Sequence, residues 1–592
     1  MSSSSSISVL LRMRWAIAGS AVVLASACTA VPDSGGVHAG NPVAPSATTK
    51  VGLQARTPVA NDVPQNIVLG FQFANADIPN GLGIAKAYLA DGASWQPKGV
   101  TVVGDSSTVT VVPNSDNSTV KVVYPQVGAL AADGTYQPSP DGQSVEYDYT
   151  LSKGAAEKGQ WRITNPPPFL ILTVNQIEST YQKGYVYFLR PDEQMLVPVR
   201  VFLPSRGHFA DELLATLLAG PPAWLKSAVT TAIPAHTVLT QPSSEANGVT
   251  TVELSREIAS ASDAERNAIA AQISYTLANA DTFPQNFGPL RILVGGQPFL
   301  SCKGNPLQTA KDCTGFDGDA LRFNFYFTDL EHRSRDHLDH LLAGDTGTFG
   351  ITNLQAVSLV PRVTASGTPD LIAGIAQGTG TALDLYAGPV AQPKKLLEGS
   401  AFTTPSWDSL GNLWTVWQDK SSSAPQIRVA PAGEATLPGP VPLPPILANN
   451  KVVRELKVSR DGTRIAVLAV STNGSQVLVG SVNKDGTIAN FYPVAPSLST
   501  ATDFVWASST RLEILATAPS NGAAGTTSQL WTVDVDGWPT SLSDQLVLTN
   551  AASIADAPGE SLIVGTTSNV IEKLSNNSFE VVGEGTSPRY PG

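Results

Sequence analysis

With 592 residues the chain is too long for one hydrophobic core and should hold about three domains. Only 15% of residues are charged, Gly (50) and Pro (44) are abundant, and Ser/Thr/Asn-rich stretches punctuate valine-rich runs, which is the composition of a mainly β, turn-rich exported protein. The formal net charge of -12 excludes the basic stripe that a nucleic-acid partner requires and offers no electrostatic adhesion to anionic lipid.

Residues 1–27 read as a secretory signal peptide: a polar lead, Arg12 and Arg14, an apolar run from Trp15 to Ala25, then Ser26-Ala27-Cys28. The run is about half the length a bilayer crossing needs. Small residues followed by Cys28 resemble a bacterial lipobox, although Ala25 stands where Leu is common and Leu24 lies one position earlier. That resemblance implies a Cys28 carrying an S-diacylglycerol and an N-acyl chain, and more than one chain makes anchoring stable. An ordinary signal peptide with an incidental cysteine is the alternative. Residues 28–60 are rich in Pro, Gly, Ser and Ala and poor in large apolar side chains, so they are expected to be a flexible tether.

A first α+β domain is expected over residues 61–166. Asn61-Asp62-Val63-Pro64 predicts a helix start, Ile67, Phe71 and Ala74 its buried face, and Ile84, Ala87 and Tyr88 a second helix. From Val100 the period changes to two, predicting an antiparallel meander that Pro166-Pro167-Pro168 ends. An NTF2-like fold is one candidate for it.

A second α+β domain is expected over 180–304. Tyr185–Leu189 and Met195–Leu203 read as a hairpin, with Pro198 pushing its strand toward a sheet edge. A helix with Leu213, Leu214, Leu217 and Leu218 follows, then a strand over Val249–Leu254, a helix from Ala261 to about Ala280, and a strand over Leu290–Val294. Gly207 through Pro221, Ala232-Ile233-Pro234, Val252-Glu253-Leu254 and Ile273-Ser274-Tyr275-Thr276-Leu277 together resemble the GerMN module of exported bacterial proteins. Residues 305–343 read as a connector.

From residue 344 to 592 a strand, an Asp-Gly or Gly-Asn turn and a second strand recur about every fifty residues, as at Trp407-Asp408 before Gly411-Asn412 and at Ser459-Arg460-Asp461-Gly462. That period predicts a β-propeller, with room for about five or six blades. A β-sandwich is the competing architecture.

Walker A, Gly-x-Ser-x-Gly, Cys-x-x-Cys and His-Glu-x-x-His sequences are all absent, and the propeller region contains no histidine. No cofactor is implied. Gly378-Thr379-Gly380-Thr381 lacks the third glycine of a dinucleotide fingerprint and reads as a turn between strands. His332, His337 and His340 gather in one segment with Asp336 and Asp339; they could take a divalent metal, or form a solvated connector in which Arg333 and Arg335 repel a cation. Cys302 and Cys313 remain once Cys28 is lipidated, and in an oxidising compartment they read most simply as one disulfide, a metal pair being the alternative. Trp407, Trp414, Trp417 and Trp506 could line a ligand platform or pack between blades.

The order of lipobox, α+β domain, GerMN-like domain and propeller is similar to the LpqB lipoprotein family of actinobacteria. The more specific pieces are Val127-Gly128-Ala129-Leu130-Ala131-Ala132-Asp133-Gly134-Thr135-Tyr136 and the ending Gly585-Thr586-Ser587-Pro588-Arg589-Tyr590-Pro591-Gly592. The resemblance implies a non-enzymatic lipoprotein on the outer face of the cell membrane, a tethered rod of binding modules. It would contact the extracellular domain of a sensor histidine kinase, the MtrB sensor, and modulate a two-component system for envelope and division control. A structural lipoprotein binding the cell wall or a glycan is the alternative.

Overall fold

The computed structural model describes residues 55–302 and 313–592, except 98, 106–108, 141, 155–157, 193–194, 205–207, 247–248, 279–289, 315–353, 360–370, 379–381, 390–393, 409, 422–423, 432–438, 450, 518–526, 540–545, 557–560, 576–577, 585–587 and 591–592. Cys28, the signal segment and the His332, His337 and His340 group lie outside the described residues.

The first domain opens with α1 (Pro64–Ala74), followed by the single turn α2 (Gly83–Lys86). Val63 occupies the N-cap without a side-chain cap, and Asp62 instead accepts from the Val63 N–H at 3.0 Å, because Pro64 supplies no N–H to the first turn. Ile67, Val68, Phe71 and Ala74 form the buried face that covers Val120, Val122, Tyr149 and Leu151. These last belong to β3 (Thr119–Leu130) and β5 (Ser144–Lys153) of a sheet completed by β1 (Thr101–Gly104), β2 (Thr110–Pro113), β4 (Tyr136–Pro138), β6 (Trp161–Ile163) and β7 (Leu170–Thr173). Its order is β6-β5-β3-β1-β7, with β2 and β4 also paired to β3.

The proline run does not end this sheet. Pro167 offers its carbonyl to Trp95 Nε1 at 2.8 Å, and the chain then returns as β7, parallel to β1 with Thr101 opposite Leu170. Prolines remove donors and so interrupt a ladder, but the chain can re-enter at the other edge. A capping box of Thr173 and Gln176 then starts α3 (Val174–Thr180), which runs directly into the second domain.

That domain begins with the hairpin of β8 (Tyr181–Leu189) and β9 (Leu196–Pro204), then α4 (Phe209–Leu218). A five-stranded sheet follows, in the order β10 (Ser244–Ala246), β11 (Val249–Leu254), β12 (Leu290–Val294), β13 (Gln297–Cys302), β14 (Cys313–Thr314). The helix α5 (Asp263–Ala278) packs on the hairpin and supplies the polar groups its bare edge lacks. Gln272 donates to Tyr187 O at 2.9 Å and accepts from Ala232 N–H at 2.9 Å, while Thr276 Oγ1 accepts from Tyr187 N–H at 3.1 Å. The Tyr-Thr-Leu element of the GerMN resemblance therefore has a physical reason: it satisfies buried backbone groups. Pro198 does sit on an edge, since the hairpin forms a two-stranded sheet.

Five sheets follow, each a consecutive meander. They are β15 to β18 (Leu354–Leu359, Leu371–Gln377, Leu383–Pro389, Lys394–Gly399), β19 to β23 (Ala401–Phe402, Ser406–Trp407, Leu413–Gln418, Gln426–Ala430, Val441–Pro442), β24 to β27 (Val452–Val458, Arg464–Ser471, Gly474–Val482, Ile488–Pro493), β28 to β31 (Ala501–Ser508, Arg511–Thr517, Thr527–Asp534, Leu546–Thr549) and β32 to β35 (Ala551–Ala555, Ile563–Thr566, Val570–Ser575, Ser578–Glu584). In the second sheet β19 and β20 share the place of one strand, both pairing with β21.

Opening strands of successive sheets are tied to one another. Trp407 Nε1 donates to Ser358 O (3.4 Å), Val458 N–H to Ser406 Oγ (3.0 Å), Trp506 Nε1 to Lys457 O (3.1 Å) and Ile554 N–H to Asp503 Oδ2 (2.8 Å). A sandwich has no such radial succession; these are propeller blades, five among the described residues. Gly378 lies in the hairpin between β16 and β17, where its N–H bonds Ala382 O at 2.9 Å, consistent with a strand-connecting turn.

Candidate functional site

The three domains are not strung as separate modules. Leu53–Gly592 forms one unit, and its domains meet at a junction built from two arginines, an indole and the segment Val127–Tyr136. Arg200, an isolated charge in the apolar strand β9, forms ion pairs with Asp534, the last residue of β30 in the fourth blade, and with Asp536 just beyond it. Burial alone would lower the tendency of this guanidinium to hold its proton, but the two carboxylates outweigh it and raise its pKa. The carboxyl of Asp536 is raised, chiefly by burial, with Arg200 opposing.

Arg464, fully buried, is the second anchor. It follows the Asp461-Gly462 turn of the repeat, where Asp461 accepts from Thr463 N–H (2.8 Å) and Ser459 Oγ (2.6 Å) and pairs with Arg464 at 3.3 Å. Arg464 Nη2 then donates to Pro198 O at 2.6 Å, so the blade turn holds the edge of the second-domain hairpin. Trp224 stands edge-on to Tyr492 at 6.1 Å, and its carbonyl accepts from Asn490 Nδ2 at 2.6 Å. Between these groups lies a small cavity of about 20 Å³.

Trp538 closes the junction toward the first domain. Its ring meets Phe202 at 4.3 Å and Tyr136 at 4.9 Å, and its Nε1 donates to Glu178 at 3.3 Å. The Val127–Tyr136 segment is shaped for this contact. Gly134 has φ +79° and gives its carbonyl to Phe202 N–H at 2.8 Å. A Cβ on Gly134 would lie 2.7 Å from Phe202 O, and one on Gly128 would strike the Tyr136 ring at 2.2 to 2.4 Å. Gly134→Ala is expected to cost about 2 kcal/mol, from the left-handed backbone and the collision together. A lowered denaturation midpoint checks this; an unchanged one means the junction opens without cost.

Two further openings are found. One, of about 160 Å³, lies between the first domain and the third and fourth blades. The other, about 50 Å³, is on the propeller beside Lys457, Trp506, Arg589 and Tyr590. There the buried carboxyl groups of Glu455 and Asp503 both face Lys457 Nζ, at 3.0 and 3.4 Å. Arg589 acts electrostatically on both acids, and Tyr590 Oη donates to Ser561 O at 2.9 Å. Arg589 and Tyr590 thus seat against the opening strands of the blades.

Trp407, Trp414, Trp417 and Trp506 are all buried, and each indole N–H has a partner: Ser358 O, Asp408 Oδ2, Glu398 O and Lys457 O. They pack between and within blades and form no platform. Cys302 and Cys313 stand directly opposite each other in the β13–β14 register. Among the described residues no group of three or more His, Cys, Asp or Glu is arranged to hold a metal, and no helix is long and apolar enough to cross a membrane. The junction and the Glu455–Lys457–Asp503 triad were not anticipated from sequence. The available signal was a lone arginine against an apolar run, Arg200 inside β9 and Arg464 at the head of β25.

Comparisons agree with this division. Residues 57–178 match the family described as Lipoprotein LpqB, N-terminal domain, residues 185–299 match Sporulation and spore germination, and residues 349–591 match the Lipoprotein LpqB beta-propeller domain. The chain is 28% identical to Lipoprotein LpqB of Thermobifida fusca, over 86% of its own length and 87% of the relative's. It is 26% identical to Lipoprotein LpqB of Streptomyces coelicolor over 96% of each. Among solved structures, TolB from Acinetobacter baumannii aligns with a TM-score of 0.30 at 11% identity, over 40% of this chain and 56% of that one. With all three domains matched in order, and the Val127–Tyr136 segment shaped to join them, the chain belongs to the LpqB lipoprotein family.

Proposed function

We propose that this protein is a membrane-anchored lipoprotein facing the extracytoplasmic side, and that it modulates a sensor histidine kinase of a two-component system by protein–protein contact. The observation that carries this is the junction: Arg200, Arg464 and Trp538 fix three domains as one body, so a partner meets a single preset surface. Anchoring through Cys28 would hold that surface beside membrane proteins at high effective concentration.

The test is crosslinking of the full-length lipidated chain in envelope membranes, followed by identification of its partners. A sensor kinase is the expected capture. Recovery of peptidoglycan fragments alone would favour the structural cell-wall role, and an unmodified Cys28 in the mature protein would sink the anchored reading.

The same reading takes Cys302 and Cys313 as a disulfide. Opposed residues of an antiparallel pair have Cα atoms about 4.5 to 5.5 Å apart, within the span a disulfide bridges, and the β13–β14 register supports the pairing. The exported chain should show no titratable thiol, and Cys302→Ser with Cys313→Ser should cost roughly 2 to 3 kcal/mol in chemical unfolding. Two free thiols in the native protein would refute it.

A further inference from the structure

The opening on the propeller lies toward the ends of three opening strands, where Val458 of β24, Trp506 of β28 and Ala555 of β32 line it together with Arg589 and Tyr590. The mouths of β-barrels are common ligand positions, and this is the matching place on a propeller. Its wall carries three cations, Lys457, Arg460 and Arg589, against one acid, Asp556, although the chain as a whole has a formal net charge of -12. Lys457 is already committed, since its Nζ faces Glu455 and Asp503 and donates to Phe504 O. In charge, Asp556 balances one of the two guanidinium groups and leaves the other over. Arg589 is the group without a counter-charge: its Nη1 donates to Pro588 O at 2.9 Å, and no carboxylate among the described residues forms an ion pair with it. A half-buried guanidinium in that state is unusual, because charges leave water when they are paired.

We infer that this cleft binds a carboxylate on a short apolar stem, with the Arg589 guanidinium donating to its oxygens and Val458, Val505 and Ile554 holding its carbons. The guanidinium fork matches the two oxygens of a carboxylate. The rest of the wall is mostly apolar, and its aromatic residues have spent their donors, Trp506 Nε1 on Lys457 O and Tyr590 Oη on Ser561 O. A volume of about 50 Å³ holds roughly four water-sized groups at ~10–15 Å³ each, which suits an acid of about two or three carbons and excludes a sugar ring. Phosphate would turn oxygens onto the apolar wall, and a neutral ligand would leave the guanidinium uncompensated. The group in question ends a free short-chain acid and equally the C-terminal residue of a peptide. The inference goes beyond the kinase reading and does not rest on it.

The test is calorimetric titration of the full-length chain in nanodiscs with sodium propionate at constant ionic strength, beside propionamide as its neutral isostere and inorganic phosphate as a rival anion. Saturable propionate binding is expected, with none for propionamide and weaker binding of phosphate. Arg589→Gln should weaken propionate binding about 10-fold or more, the equivalent of a hydrogen bond to a charged group. Asp556→Asn removes the acid of the wall and should tighten it about 2- to 5-fold, a gain that misfolding cannot imitate. N-acetylalanine separates the two sources: tighter binding than propionate assigns the group to a peptide end, weaker binding to a free acid, and either outcome keeps the carboxylate site. No saturable propionate binding, equal binding of propionamide, or an unaltered affinity in Arg589→Gln would each overturn the proposal. Phosphate binding more tightly than propionate would overturn it in favour of an inorganic-anion site.

Discussion

Arg200→Met should loosen the propeller from the two upstream domains and cost about 3 to 5 kcal/mol, the usual penalty for breaking a buried ion pair from one side. The loss follows from what is left behind. Asp536 is 9% exposed and the less buried Asp534 lies beside it, so without the guanidinium a buried carboxylate is left next to a second one with no counter-charge. Packing changes less, because the methionine side chain replaces the arginine stem over Phe202. The two effects separate in a second variant. Arg200→Met combined with Asp534→Asn and Asp536→Asn removes the stranded charges and should recover most of the stability. Calorimetry checks the pair of variants: the single variant should melt its propeller and upstream domains in distinct transitions, and the triple variant in one. If the single variant melts as the parent does, the ion pairs do not hold the domains together.

The elements that this junction joins were legible in sequence, and the junction was not. Period-two alternation placed β11 and β12 at Val249–Leu254 and Leu290–Val294 with no shift, and the Asp-Gly turns marked the blades. Local patterns report local burial, and each of those strands has one clearly apolar face. The parallel strand β7 was missed because proline chemistry signals an interruption but not where the chain goes next. Arg200 and its partners are more than three hundred residues apart in sequence, and no local pattern encodes such a pairing. What the sequence did carry was incongruity. Arg200 among valines and Arg464 ahead of Ile465-Ala466-Val467 each put a charge in a run of core residues, whereas Lys457 between Leu456 and Val458 fits ordinary alternation and gave no such signal. In a buried strand a charge persists only when it is paired. The contacts between domains escaped the sequence for the same reason, since domain count follows from length but domain contact does not.

The same logic makes the Glu455–Lys457–Asp503 triad the second sensitive point. Its two acids lie on the opening strands of neighbouring blades, β24 and β28, and only one of them keeps an ordinary ionised state. Burial first, and the charge of Asp503 second, push the Glu455 carboxyl up to about 8, with Lys457 opposing. For Asp503 burial would also raise the pKa, but Lys457, a hydrogen bond with Glu455 and Arg589 outweigh it and hold the group below its ordinary value. One proton on Glu455 thus lets the pair sit beside a single ammonium. In the unfolded chain Glu455 returns to 4.5. Between those two values the folded state holds a proton that the unfolded state has released, so stability is greatest below pH 4.5 for this group and falls as pH rises toward 8. The slope is at most ~1.4 kcal/mol per pH unit. Glu455→Gln keeps a neutral donor toward Asp503 and should flatten the slope across that window in denaturant titrations. Lys457→Met should cost about 3 to 5 kcal/mol, because Asp503 loses its counter-charge while Ile554 N–H still holds its other oxygen at 2.8 Å. Adding Asp503→Asn to Lys457→Met should restore most of that loss. A parent protein equally stable at pH 5 and pH 8, or a Glu455→Gln variant with the parent's slope, would show that the blades are not joined through a shared proton.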